Sequence, residues 1–226
     1  MLKLLRNKKT AKKIWIALAI MVLPAFLFWG FGSFVRDGDS RRDRGKIAGR
    51  EVTDAEFKES LLASRNLAIM QYGENAPEAE KKINLEAEAR QRIALLRQAE
   101  KSGIKASDEE VIKLIESYPF FQNNGRFDNR IYNELLRYVF RTQPRSFEEQ
   151  TRQNIIISKL YLKVTDGITV EDKDVREGYI KIKSAQDKKF KFEEKKFLEE
   201  KQYFRQMMLE EKKQEKFSSF IEGLLK

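Results

Sequence analysis

The sequence contains no cysteine and no histidine among its 226 residues. Without cysteine the chain can form no disulfide, and it offers no thiolate nucleophile or thiolate metal ligand. Without histidine it lacks the commonest general base at neutral pH and the commonest metal ligand. No phosphate-binding loop, dinucleotide-binding loop or metal-ligand spacing occurs either. These absences argue against an enzyme, and we expect no catalytic residue, no bound metal and no cofactor.

Proline and glycine are also scarce, with 4 and 11 residues respectively. Sparse turn residues favour long helices over many short strands. Charged residues make up 35% of the chain and apolar residues 41%. Leucine, isoleucine, valine and phenylalanine recur at helical spacing, which indicates a folded helical protein and not a disordered one.

Residues 14–35 form the long apolar run of the sequence, with 22 consecutive uncharged residues. A helix of that length is about 33 Å long, and the hydrocarbon core of a bilayer is about 30 Å thick. We therefore predict a transmembrane helix here, with Trp15 and Trp29 near its two interfaces. The alternative is a cleaved signal peptide, whose apolar region is usually shorter, about 7–15 residues, and ends at a small-residue cleavage site that is not evident here.

The distribution of charge predicts the orientation of this helix. Residues 1–13 carry six cationic side chains and no anionic one, which leaves +4 of the total charge of +10 for the rest of the chain. The positive-inside rule places residues 1–13 in the cytoplasm and the remainder beyond the inner membrane. Residues 36–45 are polar and are predicted to be a linker, and residues 46–226 a single extracytoplasmic domain.

The domain is predicted to be mainly α-helical. Thr53 with Glu56, and Ser107 with Glu110, fit the capping box at two helix starts, and Asp128 and Ser146 can cap two more. Apolar periodicity and these caps predict helices over 54–72, 78–101, 108–117, 129–141, 147–165, 171–184 and 194–225.

Two further features complete the predicted fold. Residues 189–193 alternate phenylalanine and lysine, which is typical of a short strand, and we expect them to pair with residues 46–52. The last helix has an apolar stripe with dense charge on its other faces, so we expect it to pack back on the earlier helices.

Several motifs follow one another along the chain: Gly49 with 52–57, 107–111, 119–122, 125–128 with Tyr132, 147–149 with 159–160, and 172–179. In this order they resemble the N-terminal domain of SurA/PpiD-type periplasmic chaperones. The basic start and apolar run resemble the membrane anchor of the PpiD type. Residues 195–226 resemble the returning C-terminal helix of the family. The resemblance implies a SurA-N-like multi-helix chaperone domain behind a membrane anchor.

The sequence departs from this family at one point. Family members usually carry parvulin domains of roughly a hundred residues between the N-terminal domain and the returning helix. Here fewer than twenty residues separate Tyr179 from Phe197, and the histidines associated with parvulin activity are absent. Prolyl isomerase activity is therefore not expected.

Aromatic and methionine side chains are the candidates for binding polypeptide clients through apolar contact. The alternative, which we favour for most of them, is an ordinary helical core. The candidates are Phe120, Phe121, Phe127, Tyr132, Tyr138, Phe140, Met207 and Met208.

These observations favour a membrane-anchored, ATP-independent holdase whose partners are unfolded or translocating polypeptides and, in addition, the protein-translocation machinery. An accessory subunit with one fixed membrane partner is the alternative, and a residual prolyl isomerase is the third class. Nucleic acid is not expected as a partner, because the charge runs of the domain mix both signs.

Overall fold

The computed structural model describes residues 45–187 and 189–225. The predicted cytoplasmic segment, transmembrane helix and nearly all of the linker, residues 1–44, lie outside the described residues. Among the residues it does describe, no helix has the length and apolar character needed to cross a bilayer. The mainly helical prediction is confirmed for this part of the chain.

Eight α-helices and two small hairpins make up the described chain. The helices are α1 (Asp54–Tyr72), α2 (Ala76–Lys82), α3 (Leu85–Lys101), α4 (Asp108–Ser117), α5 (Asn129–Leu135), α6 (Pro144–Val164), α7 (Asp172–Gln186) and α8 (Glu194–Leu225). The strands are β1 (Lys46–Ile47), β2 (Arg50–Glu51), β3 (Gln122–Asn123) and β4 (Arg126–Phe127), paired β1 with β2 and β3 with β4, both antiparallel. Short 3₁₀ turns cover Gly73–Asn75 and Pro119–Phe121, and a π-helical turn covers Leu136–Phe140.

The predicted pairing of residues 46–52 with 189–193 is wrong. Lys46–Ile47 pairs instead with Arg50–Glu51, because Ala48 and Gly49 both adopt positive φ and close a local two-residue turn. Residues 189–193 form no strand among those described; Phe190 and Phe192 lay their rings against Tyr179.

Three other details differ from the predicted caps and helices. The helix predicted over 78–101 is two helices, because Ile83 is extended and the Asn84 side chain accepts from the Ala87 N–H at 3.0 Å. The Ser107 capping box forms as predicted, but at Thr53 only half of it does. The carboxylate of Glu56 binds Arg97 instead.

The helix predicted to start at Ser146 begins earlier, at Pro144. Proline suits the first turn of a helix because its missing N–H would have no partner there. Ser146 consequently lies inside α6, where its hydroxyl accepts from the Gln150 side chain at 3.5 Å.

The described chain divides into two compact units. The first unit comprises the residues up to Tyr161 and those from Ile221 onward, and the second comprises residues 162–220. In the first unit, hairpin β1–β2 packs with α1 and α3 around Ile47, Phe57 and Ile93, and Leu224 of the last turn of α8 contacts the same cluster. In the second unit, α7 and α8 pack around Tyr179.

Buried polar side chains fix the helices of the first unit. The Arg97 guanidinium donates to the Ile47, Arg50 and Glu51 carbonyls at 2.6–2.8 Å and to the Glu56 carboxylate. Elsewhere Arg92 of α3 donates to the side chains and backbone of residues 150–154 of α6. Burial lowers the pKa of Arg92 to about 10, which leaves it charged at neutral pH.

Candidate functional site

An aromatic cluster of the first unit, which we call the Phe121 cluster, supports the candidate site. Its buried members come from α4, the turn after it, α5, the π-turn and α6: Val111, Ile115, Phe121, Tyr132, Leu136, Phe140 and Phe147. Phe121 is fully buried, and five other aromatic rings have their centroids 4.5–6.2 Å from its own. Most of these contacts are edge-on or tilted, the arrangements that aromatic quadrupoles favour.

One polar atom inside this cluster is left without a partner. The hydroxyl of Tyr132 is buried and makes no hydrogen bond to any described residue. Burial, with a smaller contribution from the charge of Glu148, raises the pKa of Tyr132 to about 12. The phenol therefore stays neutral, and leaving its hydroxyl unpaired costs about 1–3 kcal/mol.

The π-helical turn Leu136–Phe140 shapes the surface over the cluster. The Leu136 carbonyl accepts from the Arg141 N–H and also from the Thr142 N–H, at 3.0 Å. Arg141 ends the turn in the left-handed conformation, with φ 52° and ψ 46°. A π-turn places one more residue in the loop than an α-turn does, and such turns often occur at functional sites. Leu136 and Phe140 are buried, while the three residues between them face solvent.

Two of the three residues that face solvent at this turn, Tyr138 and Val139, are apolar. Tyr138 is 67% exposed and Val139 41% exposed, two of the most exposed large apolar side chains of the first unit. The guanidinium carbon of Arg137 lies 5.4 Å from the centroid of the Tyr138 ring, a cation–π contact. The turn thus presents an exposed aromatic ring beside the buried Phe121 cluster.

An open groove of about 830 Å³ adjoins this turn. Its lining comes from α1, α5, the π-turn and the start of α6: Leu62, Asn133, Leu136, Arg137, Arg141, Thr142, Gln143, Pro144 and Ser146. Leucine and proline give it apolar walls, amides and hydroxyls give it hydrogen-bonding groups, and the two arginines give it positive charge. Among the residues that the structure describes, none that lines the groove is acidic. We call this feature the Arg137–Arg141 groove.

The structure divides the eight candidate client-binding residues by burial. Phe121, Tyr132 and Phe140 are buried in the Phe121 cluster and present no surface in this conformation, as the core alternative requires. Phe120 and Phe127 are half-buried at its edge, and Tyr138 is exposed.

The remaining two candidates belong to the second unit. Met207 and Met208 are half-buried and pack against the cluster around Tyr179. The Met208 side chain occupies the space beside Gly178, where an added Cβ would lie 2.6 Å from its Sδ. Met208 therefore serves the packing of α7 on α8.

Sequence reasoning missed Val139, Arg137 and Arg141 as site residues. In a regular helix over 129–141, Val139 would be one more core position, and the two arginines, four residues apart, an ordinary solvated face. Only the π-turn, which the sequence pattern does not signal, turns Val139 outward. In the described part of the chain there is also no group of acidic side chains that could hold a metal ion.

Comparisons with known proteins place this geometry in context. The sequence matches the SurA-like N-terminal domain over residues 1–161. It is 26% identical over 127 residues to proteins named periplasmic chaperone PpiD from Escherichia coli strain K12 and from Escherichia coli O6:H1 strain CFT073. That alignment covers 53% of this chain but 20% of each relative, so the chain spans about a fifth of the length of the curated relatives it matches. No solved structure matches the chain.

Proposed function

Because the chain belongs to the family of SurA-like N-terminal domains, we propose that it is a membrane-anchored chaperone for unfolded or newly translocated polypeptides. In this proposal residues 14–35 span the inner membrane, residues 1–13 lie in the cytoplasm, and residues 36–45 link the span to an extracytoplasmic domain, 46–226. The domain holds clients by apolar contact, without ATP and without prolyl isomerase activity. The translocation machinery is a further partner, since newly translocated clients emerge beside it.

The observation that carries this proposal is the exposed apolar pair Tyr138 and Val139 at the π-turn. An exposed ring on a rigid base loses little side-chain freedom on binding and buries a large area. The adjoining groove adds amide and hydroxyl groups that can bond the backbone of an extended polypeptide. Weak, broad binding of unfolded chains needs this combination of apolar and backbone contacts.

Suppression of aggregation tests the proposal. The full chain, reconstituted in phosphatidylcholine nanodiscs, is mixed with a chemically unfolded model protein, and light scattering is followed as the denaturant is diluted. We expect the full chain to slow aggregation relative to empty nanodiscs. The double variant Tyr138→Ser/Val139→Ser should lose at least half of that protection.

A matched control distinguishes binding at this surface from non-specific binding to any exposed apolar side chain. Leu198 and Tyr203 of α8 are 58% and 68% exposed, so Leu198→Ser/Tyr203→Ser removes a similar apolar area elsewhere. We expect this control to protect as well as the unaltered chain. No protection by the unaltered chain would refute the holdase proposal, and equal losses in both variants would refute the assignment to the π-turn.

Crosslinking in cells distinguishes the holdase from an accessory subunit. A photoreactive amino acid at position 138 should crosslink to many polypeptides of different mass. A single stoichiometric adduct would instead favour one fixed partner. A proline-limited refolding assay should show no acceleration by the full chain, in line with the missing isomerase insert.

A further inference from the structure

The Arg137–Arg141 groove lies in a basic part of the domain. Residues 126–145 contain five arginines and two acidic residues, Asp128 and Glu134, so this segment carries a net charge of +3. In the described part of the chain neither Arg137 nor Arg141 forms an ion pair, whereas Arg97 and Arg152 of the same unit do. The groove therefore offers two cations that no internal acid neutralises.

The backbone of Arg141 is in the left-handed conformation, which is a feature independent of the charge of the groove. Arg141 holds φ 52° at the end of the π-turn. That conformation suits glycine and costs an L-residue with a bulky side chain free energy. An arginine at this position is therefore not favoured by the stability of the turn.

We propose that the Arg137–Arg141 groove selects extended polypeptide segments in which an acidic residue lies next to apolar residues. This inference rests on the proposed function and names the class of client that the site prefers. The client carboxylate would bind the two guanidinium groups, which present donors in a geometry that matches a carboxylate. The apolar neighbours would contact Tyr138 and the walls of the groove.

The lining favours a polypeptide over a lipid as the occupant. Asn133, Thr142, Gln143 and Ser146 supply amide and hydroxyl groups between the apolar walls. A peptide backbone carries donors and acceptors along its whole length and can use these groups, whereas an acyl chain would leave them unpaired. An anionic headgroup shares only the contact with the arginines.

Fluorescence anisotropy with three labelled 12-residue peptides tests the proposal. The peptides share the same leucine and phenylalanine positions and differ only in carrying aspartate, serine or lysine between them. Each is titrated with the full chain in phosphatidylcholine nanodiscs at 50 mM and 300 mM NaCl. We expect the aspartate peptide to bind about 3- to 10-fold more tightly than the serine peptide at the lower salt, and less so at the higher.

Three variants test whether the preference for the aspartate peptide arises in the groove. Arg137→Gln/Arg141→Gln should bind the aspartate and serine peptides equally. Arg130→Gln/Lys113→Gln removes the same charge from exposed positions on α5 and α4 outside the groove lining, and it should keep at least half of the preference. Arg141→Gly should raise the Tm by about 2–4 °C by relieving the backbone while still losing much of the preference.

The outcomes separate this inference from the proposed function. If all three peptides bind equally, the chaperone proposal stands and the acidic preference is refuted; if none binds and aggregation is not slowed, the proposed function itself fails. Equal losses of the aspartate preference in Arg137→Gln/Arg141→Gln and in the control Arg130→Gln/Lys113→Gln would refute contact within the groove. Displacement of the aspartate peptide by short-chain phosphatidylglycerol, below the concentration at which unlabelled peptide competes, would assign the groove to lipid.

Discussion

Each unit is built around a buried aromatic ring, but the surroundings of the two rings differ. Tyr179, 2% exposed, is surrounded by four phenylalanine rings at 4.9–6.2 Å, much as Phe121 is surrounded in the first unit. Around Tyr179 the cationic side chains are paired: Arg176–Glu194, Lys183–Glu200, Lys201–Asp172, Arg205–Asp172 and Lys212–Asp174. Around Phe121 the exposed rim is apolar at Tyr138 and cationic at Arg137 and Arg141, without such pairs.

The comparison separates structural packing from a surface available for binding. The five ion pairs around Tyr179 satisfy one another's charge and leave those groups little to gain from a ligand. In the described part of the chain, the rim of the Phe121 cluster combines the exposed apolar side chains Tyr138 and Val139 with arginines that form no ion pair. Aromatic content alone therefore does not identify a binding surface. The exposure and the charge pairing of the side chains around the rings do.

The largest expected effect is a loss of stability when either central ring is removed, and it tests whether the two rings stabilise their units equally. Phe121→Ala and Tyr179→Ala should each lower the free energy of unfolding of their own unit by about 3–5 kcal/mol, since each leaves a cavity among fixed rings. Native-state hydrogen exchange, read on peptides from 108–150 and from 172–215, measures the two units separately. A loss below 1 kcal/mol at Phe121 would mean that its cluster is too mobile to support a rigid site.

The second effect concerns pH and should differ in sign between the units. Glu88 is buried on α3, makes no ion pair with a described residue, and has its pKa raised by burial to about 8. Between pH 4.5 and 8 the folded state keeps this proton and the unfolded state loses it, so the first unit loses stability as pH rises.

Glu88→Gln should abolish that loss. The variant should exceed the unaltered chain by a few kcal/mol above about pH 8, because one pKa unit corresponds to about 1.36 kcal/mol, and the difference should shrink toward pH 4.5. Urea denaturation followed by circular dichroism at several pH values measures it. Glu86→Gln, at an exposed position on the same helix, is the control and should show no such trend.

A third and smaller effect concerns the unpaired hydroxyl in the Phe121 cluster. Tyr132→Phe removes a buried group that has no partner among the described residues and leaves the ring packing unchanged. We expect the variant to be as stable as the unaltered chain or up to about 1 kcal/mol more stable. A clear loss of stability in thermal unfolding would show that the hydroxyl has a partner in solution.

The smallest effect concerns the ion pairs of the second unit. A hydrogen bond from Lys212 and its charge lower the pKa of Asp174. The stability that this pair contributes is present above the unfolded pKa and is lost as pH falls through the folded pKa, opposite to the trend at Glu88. Asp174→Asn should slightly reduce the loss of stability of the second unit at acid pH, measured by hydrogen exchange in peptides from 172–215. Addition of 0.5 M NaCl to the unaltered chain should have a similar effect, because salt screens the ion pair. If neither salt nor the substitution changes exchange in 172–215, the ion pairs do not contribute to the difference between the two units.

The sequence predicted those elements whose causes are local. Apolar periodicity and capping residues predict the ends of α1, α4 and α8 as the structure has them. The departures arise from partners distant along the chain or from competing local geometry. Glu56 leaves its capping box because Arg97, 41 residues away, offers a charged partner.

The candidate site was predicted only in outline. The sequence grouped eight aromatic and methionine residues as candidates, but it did not separate Phe121, which is buried, from Tyr138, which is exposed. Burial of Phe121 depends on rings contributed by separate elements, which the residue pattern of one element does not show. The charge of the groove was likewise hidden, because Arg137 and Arg141 have the spacing of a solvated helical face.

The fastening of hairpin β1–β2 by Arg97 has a mechanical consequence. A two-residue ladder is too short to bear load, but three of the carbonyls in this hairpin accept hydrogen bonds from one buried guanidinium on α3. Tension applied along the chain at Gly45 would therefore pass into α3 through Arg97 before it could peel the strands apart. If residues 36–45 tether the domain as proposed, a force on the tether would reach α3 both through Arg97 and through Ile47, which is buried against the same helix.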